Sequence, residues 1–292
     1  MAEPKQGVHV NSDIDLHCHS TASDGHFPAA ELIDRAAERG IRTLAITDHD
    51  TVDGFRQGRE AAAAKGVRLI SGIELSTVWG GVSVHMVGLN FDPDSDAMRG
   101  AEQHQNQVRA ERGKLIAERV SKRLRHDIPF ADIVDLAGGR AEQVGRPHFA
   151  RYMVERQLVP SMAVAFSKYL GAGKVGDVKT GWPTLVEAAR WVRAGGGIPV
   201  LAHAHMYKMT RTKLRACISD FREAGGIGLE VAYGQMDNGQ RNQMADLCRE
   251  FHLYGSCGSD YHGPNRYGLE LGVMPAFPAD VRPVWSLWRP QA

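Results

Sequence analysis

Short apolar runs alternate with helical patterns along most of this chain, and that rhythm restricts the fold more than any other feature. Strand-like runs fall at Ile14–Leu16, Thr43–Thr47, Val67–Ile73, Val82–Leu89, Ile198–Ala202, Gly228–Ala232 and Leu253–Cys257. Helical periodicity lies between them at Ala29–Arg39, Phe55–Lys65, Leu185–Ala194, Arg211–Ala224 and Asn238–Phe251. Pro28 suits a first helical turn and Gly40 a helix C-terminus. Alternation of this kind predicts an α/β protein with a mostly parallel sheet or barrel.

The rhythm breaks between 96 and 180. A long charged helical pattern runs from Met98 to Arg125, followed by shorter ones at Ala131–Ala137, Pro147–Gln157 and Met162–Leu170, with no strand pattern. The expected organisation is a body made of 1–95 and 181–292, interrupted by an all-helical insertion at 96–180. Charge divides the same way. The insertion has 15 Lys/Arg against 10 Asp/Glu, and the rest has 20 against 24, so a net charge of +1 separates into +5 and −4. An acidic body with a basic insertion fits cations held in the first and an anionic substrate received by the second.

Composition excludes some classes. With 43% hydrophobic and 24% charged residues the chain reads as a soluble globular protein. No stretch approaches the roughly 18 apolar residues of a membrane helix, and Met1–Asp15 contains no apolar run of a signal peptide. Cys18, Cys217, Cys248 and Cys257 form no CxxC pair, which suits reduced thiols in the cytoplasm.

The chemistry gathers at strand ends. Asp15-Leu16-His17-Cys18-His19 closes the first run, and strand alternation puts His17 and His19 on one face, about 7 Å apart by strand rise. Asp24 follows in an Asp-Gly turn. The second run ends in Asp48-His49-Asp50, Glu74 interrupts the third, and His85 sits in the fourth. His203 and His205 follow the fifth, and Asp260 and His262 follow the last. Singly, each has an ordinary explanation: Asp24 as a turn residue, His85 as a core histidine. Together, six of the seven runs present such groups at the end of the sheet where α/β folds gather function. Carboxylates crowded among imidazoles require a cation.

These motifs resemble the PHP (polymerase and histidinol phosphatase) family of phosphoesterases: DLHCHS at 15–20, TDHD at 47–50, GIEL at 72–75, His85 in its strand, AHAH at 202–205 and GSDYH at 258–262. The insertion, with GRPHFAR at 145–151, resembles the TrpH-type branch, whose members include a nucleoside 3′,5′-bisphosphate phosphatase and a 5′-end-directed ribonuclease. The resemblance implies a distorted seven-stranded parallel (β/α) barrel and a trinuclear metal site. His17, His19, Glu74 and Asp260 would hold one ion; Glu74, as a bridge, with His85 and His203 a second; Asp24, His49 and His262 a third. Glu74, His203 and Asp260 would be the catalytic residues. Two to three divalent ions per chain are expected, Mn²⁺ favoured, with Zn²⁺ or Fe²⁺ as alternatives. One departure from the family pattern is Ala202-His203-Ala204, where a proline usually follows the histidine; it relaxes the loop and leaves the role of His205 open.

The expected reaction is hydrolysis of the 3′-phosphate of a nucleoside 3′,5′-bisphosphate such as pAp, by metal-activated water attacking phosphorus in line. Arg146, ahead of Pro147 at a helix start, would grip the second phosphate, with Lys179 in support. The alternatives are 5′-to-3′ exoribonuclease action on short 5′-phosphorylated RNA, histidinol phosphate hydrolysis, and a non-catalytic metal-binding module. Expected partners are therefore a small phosphorylated nucleotide or short RNA, not duplex DNA and not a membrane; the sequence names no protein partner. Gly171-Ala172-Gly173-Lys174 lacks the rest of a phosphate loop. Asp48 and Asp50 read as orienters of a histidine rather than ligands.

Overall fold

The computed structural model describes residues 9–264 and 269–288. The start read at Met1–Asp15 thus lies mostly outside the described residues. The chain divides into two compact units, Met1–Ala101 with Pro183–Ala292, and Glu102–Trp182.

The first unit opens with β1 (His9–Asn11), β2 (Ile14–Cys18), α1 (Ala29–Glu38), β3 (Thr43–Ile46), α2 (Asp53–Lys65), β4 (Arg68–Trp79) and β5 (Val82–Leu89). Helix α3 (Asp96–Leu124) leads into the second unit, which continues through α4 (Phe130–Leu136), α5 (Arg146–Glu155) and α6 (Met162–Ala165). The first unit then resumes with α7 (Leu185–Ala194), β6 (Ile198–Leu201), α8 (Arg211–Glu223), β7 (Gly228–Tyr233), α9 (Asn238–Glu250), β8 (Tyr254–Gly258) and β9 (Val273–Pro275).

Strands β2 to β8 form one sheet in sequence order. Just past β8, Tyr261 pairs with Cys18, His19 N–H donates to Tyr261 O at 2.9 Å and Asp260 N–H to His17 O at 2.8 Å. These bonds bring the two edges together into a nearly closed seven-stranded barrel. Six strands run parallel. β5 alone is reversed, antiparallel to both β4 and β6, a departure from the all-parallel expectation. The reason is local: Gly80 and Gly81, both at positive φ, turn β4 directly into β5 as a hairpin, so no crossover helix intervenes. A second two-stranded sheet, β1 antiparallel to β9, was not foreseen.

Alternation along the strands sorts the core. Ile70, Val87, Leu89 and Val200 pack with Leu16, Ala45 and Ala202 as one cluster. Ile73, Leu75, Val84 and Met86 pack with Leu185, Val192 and Phe221 on the helical side. Each such buried aliphatic contributes about 1.5–3 kcal/mol. Glu74 follows Ile70 by an even number of residues and so shares its face. The second unit has its own core of Ile116, Val120, Ile133, Phe149, Met153 and Leu170, and none of its described residues is in a strand. No helix among the described residues is long and apolar enough to cross a membrane.

Candidate metal centre

β4 and β5 deliver Glu74 and His85 from mid-strand, and the segments at or just past the ends of β2, β3, β6 and β8 deliver the other side chains. Next to β2, Gly258 lets the barrel seam close: a Cβ there would lie 2.2 Å from the His17 Cβ. The turn after β2, which carries Asp24, is pinned by Asp48. One Asp48 oxygen accepts from Ser20 N–H at 2.8 Å and Ser23 Oγ at 2.6 Å, the other from Ser20 Oγ at 2.6 Å. Burial pushes the Asp48 carboxyl up to about 6 against the pull of those bonds. Asp48 thus holds the Asp24 turn, where a histidine was the expected partner. Asp50 accepts from Ser76 N–H at 2.6 Å.

His203 leaves β6 at φ +28° and Asp260 leaves β8 at φ +52°, left-handed conformations that cost of order 1–3 kcal/mol each and concentrate at functional sites. The loop without proline is not loose. Tyr207 Oη donates to Ala202 O at 2.7 Å and accepts from His85 N–H at 2.9 Å, tying the β6 end to β5. His205 stands outside the groups described next, its ring 5.0 Å from that of Tyr233.

Glu74 is the hub. Its Oε1 lies 2.8 Å from His85 Nδ1 and 2.9 Å from His203 Nε2. Its Oε2 lies 2.9 Å from His49 Nδ1, 3.4 Å from His19 Nε2 and 3.5 Å from His17 Nε2. Asp260 Oδ1 lies 3.1 Å from His19 Nε2, 3.4 Å from His17 Nε2 and 3.5 Å from His262 Nδ1. Asp24 Oδ1 lies 3.3 Å from His262 Nε2, 3.8 Å from His49 Nε2 and 3.9 Å from His19 Nδ1. All nine residues marked as metal ligands in the sequence are therefore brought together. Three overlapping groups have ligand atoms within reach of one ion: His17, His19 and Glu74; His49, Glu74 and His85; and His19, Asp24, His49 and His262.

The electrostatics are those of an ion site. Burial opposes ionisation of Glu74, Asp24 and Asp260, yet the surrounding imidazoles hold all three below the usual carboxylate range. Burial, with His262 stacked at 4.0 Å, lowers His19 to about 3. His262 rises to about 10, because Asp24 and Asp260 outweigh its burial. Among the described residues, His17 Nε2, both ring nitrogens of His19, Asp24 Oδ1 and Glu74 Oε2 are buried with no hydrogen-bond partner. Unpartnered buried acceptors converging from several strands are costly alone and fit divalent cations, which imidazole and carboxylate ligands hold together.

The sequence reading missed Glu230, in the middle of β7. Its signal was the one that revealed Glu74, an acid inside an apolar strand; with it, every strand of the barrel has an acid or imidazole within it or just past its end. It also missed Tyr233, whose Oη donates to Asp260 Oδ2 at 2.6 Å.

In the second unit, Arg146 is the first residue of α5. Its Nη1 donates to Leu170 O at 3.1 Å and lies 3.7 Å from Asp177 Oδ1, and Lys179 Nζ lies 3.2 Å from Asp177 Oδ2. Two further cations escaped the sequence reading. Arg109 and Arg112, only 6% and 7% exposed, set their guanidinium groups 5.9 and 5.3 Å from the Trp182 ring.

Comparison with known proteins gives this geometry its context. Residues 15–118 match the PHP domain. The chain is 41% identical to a 5′-3′ exoribonuclease of Haemophilus influenzae, over 95% of this chain and 99% of that one. It is 36% identical to a 3′,5′-nucleoside bisphosphate phosphatase of Chromobacterium violaceum, over 94% and 95% of the two chains. A crystal structure from Bifidobacterium adolescentis, assigned as a metal-dependent phosphoesterase, superposes with a TM-score of 0.77 at 28% identity, covering 98% of this chain and 96% of that one. With the strand-end motifs, the barrel and the histidine–carboxylate centre in agreement, the chain belongs to the PHP family and is a phosphoesterase.

Proposed function

We propose that this protein cleaves the phosphoester on the 3′-oxygen of a nucleotide that bears a 5′-phosphate, removing nucleotides from the 5′ end of short RNA. The observation that carries this reading is the 41% identity, over nearly the full length of both chains, to a 5′-3′ exoribonuclease. Water adds to phosphorus, the bond from phosphorus to the 3′-oxygen breaks, and the 3′-oxygen takes a proton. A nucleoside 5′-monophosphate leaves, and the shortened RNA again begins with a 5′-phosphate. A second reading, the bisphosphate such as pAp first expected, is supported by the 36% identity to a bisphosphate phosphatase. It breaks the equivalent bond, with inorganic phosphate in place of the RNA remainder.

His17, His19, Glu74 and Asp260 are assigned to one divalent ion, Glu74, His85 and His203 to a second, and Asp24, His49 and His262 to a third. Two to three ions per chain are expected; mixed imidazole and carboxylate ligands admit Mn²⁺, Zn²⁺ or Fe²⁺, and the family resemblance favours Mn²⁺. When bound, such ions supply Lewis acidity and lower the pKa of water. Glu74, His203 and Asp260 are assigned the catalytic roles at the reacting phosphate. Arg146 and Lys179 are assigned to the 5′-phosphate, which would take over from Asp177 as their anionic partner. Four free, buried cysteines accord with the cytoplasm as its compartment.

Mn²⁺-loaded protein offered a 5′-phosphorylated trinucleotide, its 5′-hydroxyl counterpart and pAp tests both readings. Release of nucleoside 5′-monophosphate from the first, and not from the second, is the expected result. Turnover of pAp alone would replace the first reading by the second, and turnover of none would defeat both.

A further inference from the structure

Glu230 is a buried acid for which the fold has no evident need. It is 1% exposed, in the middle of β7, and an uncharged side chain there would avoid the desolvation cost of a carboxylate. Its two oxygens face two different strands. Oε1 lies 2.6 Å from His17 Nδ1, at the end of β2. Oε2 accepts the backbone N–H of His203, the residue that leaves β6 at φ +28°.

We propose that Glu230 is the positioning residue of the metal centre, fixing the tautomer of His17 and the turn that presents His203. The inference rests on reading His17 and His203 as metal ligands. A carboxylate at Nδ1 makes that nitrogen the proton carrier, and a neutral imidazole then has its lone pair on Nε2. His17 Nε2 is the atom that faces Glu74 Oε2 at 3.5 Å and Asp260 Oδ1 at 3.4 Å. A lone pair aimed at two carboxylate oxygens is repulsive unless a cation lies between them, so the tautomer Glu230 selects is one that serves a bound ion. The other oxygen acts on the backbone. By accepting the His203 N–H it holds a left-handed residue in place, where the usual proline is missing from the following position. One side chain thereby couples ligands from β2 and β6 that β3, β4 and β5 separate along the sheet.

The variant that tests this is Glu230→Gln, which keeps size and shape. The amide has one acceptor end and one donor end, and both groups it faces are donors. However it lies, either the His203 N–H or the His17 Nδ1–H meets an NH₂ group, and His17 can escape only by moving its proton to Nε2. Mn²⁺ affinity should fall roughly 10–100-fold, the usual effect of removing a partner behind a metal ligand, while the melting temperature of the chelator-treated protein stays close to the parent's. In the Zn²⁺-loaded parent, ¹⁵N spectra of labelled histidine should show His17 protonated at Nδ1 and metal-bound at Nε2. Parent-like Mn²⁺ affinity in Glu230→Gln would overturn the positioning role. If the variant fails to fold, the parent spectrum decides: a proton on Nε2 of His17 overturns the proposal, and one on Nδ1 supports it. A parent that binds no Mn²⁺ at all would overturn the ligand reading along with it.

Discussion

Both units bury charge, but they treat it in opposite ways. In the barrel, buried carboxylates and imidazoles converge and leave several nitrogen and oxygen atoms without hydrogen-bond partners. In the helical unit, buried or half-buried cations are each engaged. Arg112 Nε donates to Val178 O at 2.8 Å, Arg109 Nη1 to Val144 O at 3.4 Å, and Arg146 and Lys179 share Asp177. A site that leaves buried nitrogen and oxygen atoms without partners needs its ion to satisfy them. A site whose charges already have partners can release them to a ligand only by exchange. The first should be all-or-none toward metal, the second graded toward substrate.

Metal removal should therefore have the largest effect. Chelation should abolish turnover and Mn²⁺ restore it, with the melting temperature rising on reloading because the ion binds only the folded chain. Activity unaffected by chelator, with no metal found by elemental analysis, would break the comparison at its root. Next comes Glu74→Gln. Glu74 touches five imidazoles across its two oxygens, so the change should lower kcat about 10²–10³-fold, a loss of a few kcal/mol from the transition state. Near-normal turnover would mean that Glu74 bridges nothing.

How much of this was legible in the sequence depends on whether the signal was local. The seven strands and nine clustered residues could be read because short apolar runs mark the barrel strands, and an acid or imidazole inside such a run or just past its end stands out. Glu230 carried the same signal but was passed over, since a mid-strand acid with no motif around it lacks the family's punctuation. The reversal of β5 was written in Gly80-Gly81 between two apolar runs, a hairpin sign outweighed by the expectation of parallel strands. The β1–β9 pairing has no local signature, for it joins three-residue segments from opposite ends of the chain. Arg109 and Arg112 look in sequence like the solvated face of a long helix; only tertiary packing puts them beside Trp182.

Arg146→Ala probes the exchange side of the comparison. If the 5′-phosphate replaces Asp177 as its partner, kcat/KM on a 5′-phosphorylated substrate should fall about 10–10²-fold, as for one lost charge-assisted contact. Hydrolysis of an aryl phosphate, which has no second phosphate, should be nearly unchanged. Equal losses on both would make Arg146 a structural residue of the second unit, tied to Leu170 and Asp177.

Asp48→Asn should have the smallest effect on turnover, within about 10-fold, although Asp48 adjoins His49 in sequence. Its oxygens hold Ser20 and Ser23, and an asparagine preserves most of that pattern: one oxygen still accepts from Ser20 N–H and Ser23 Oγ, and Ser20 Oγ can turn to accept from the amide. The change also removes a buried charge. The Asp48 carboxyl is raised from an ordinary 3.8 to about 6 by burial, so the folded chain binds its proton more tightly than the unfolded chain does. That proton binding favours the fold at low pH, and the advantage is lost as pH climbs from 3.8 through 6. Asparagine does not titrate. Urea unfolding of the metal-free protein should therefore show the parent losing on the order of 2–3 kcal/mol across that window relative to the variant. Above pH 7 the variant should be at least as stable as the parent. A variant that loses as much turnover as Glu74→Gln would instead place Asp48 in the chemistry, and the distinction between turn-holding and ion-facing acids would fail.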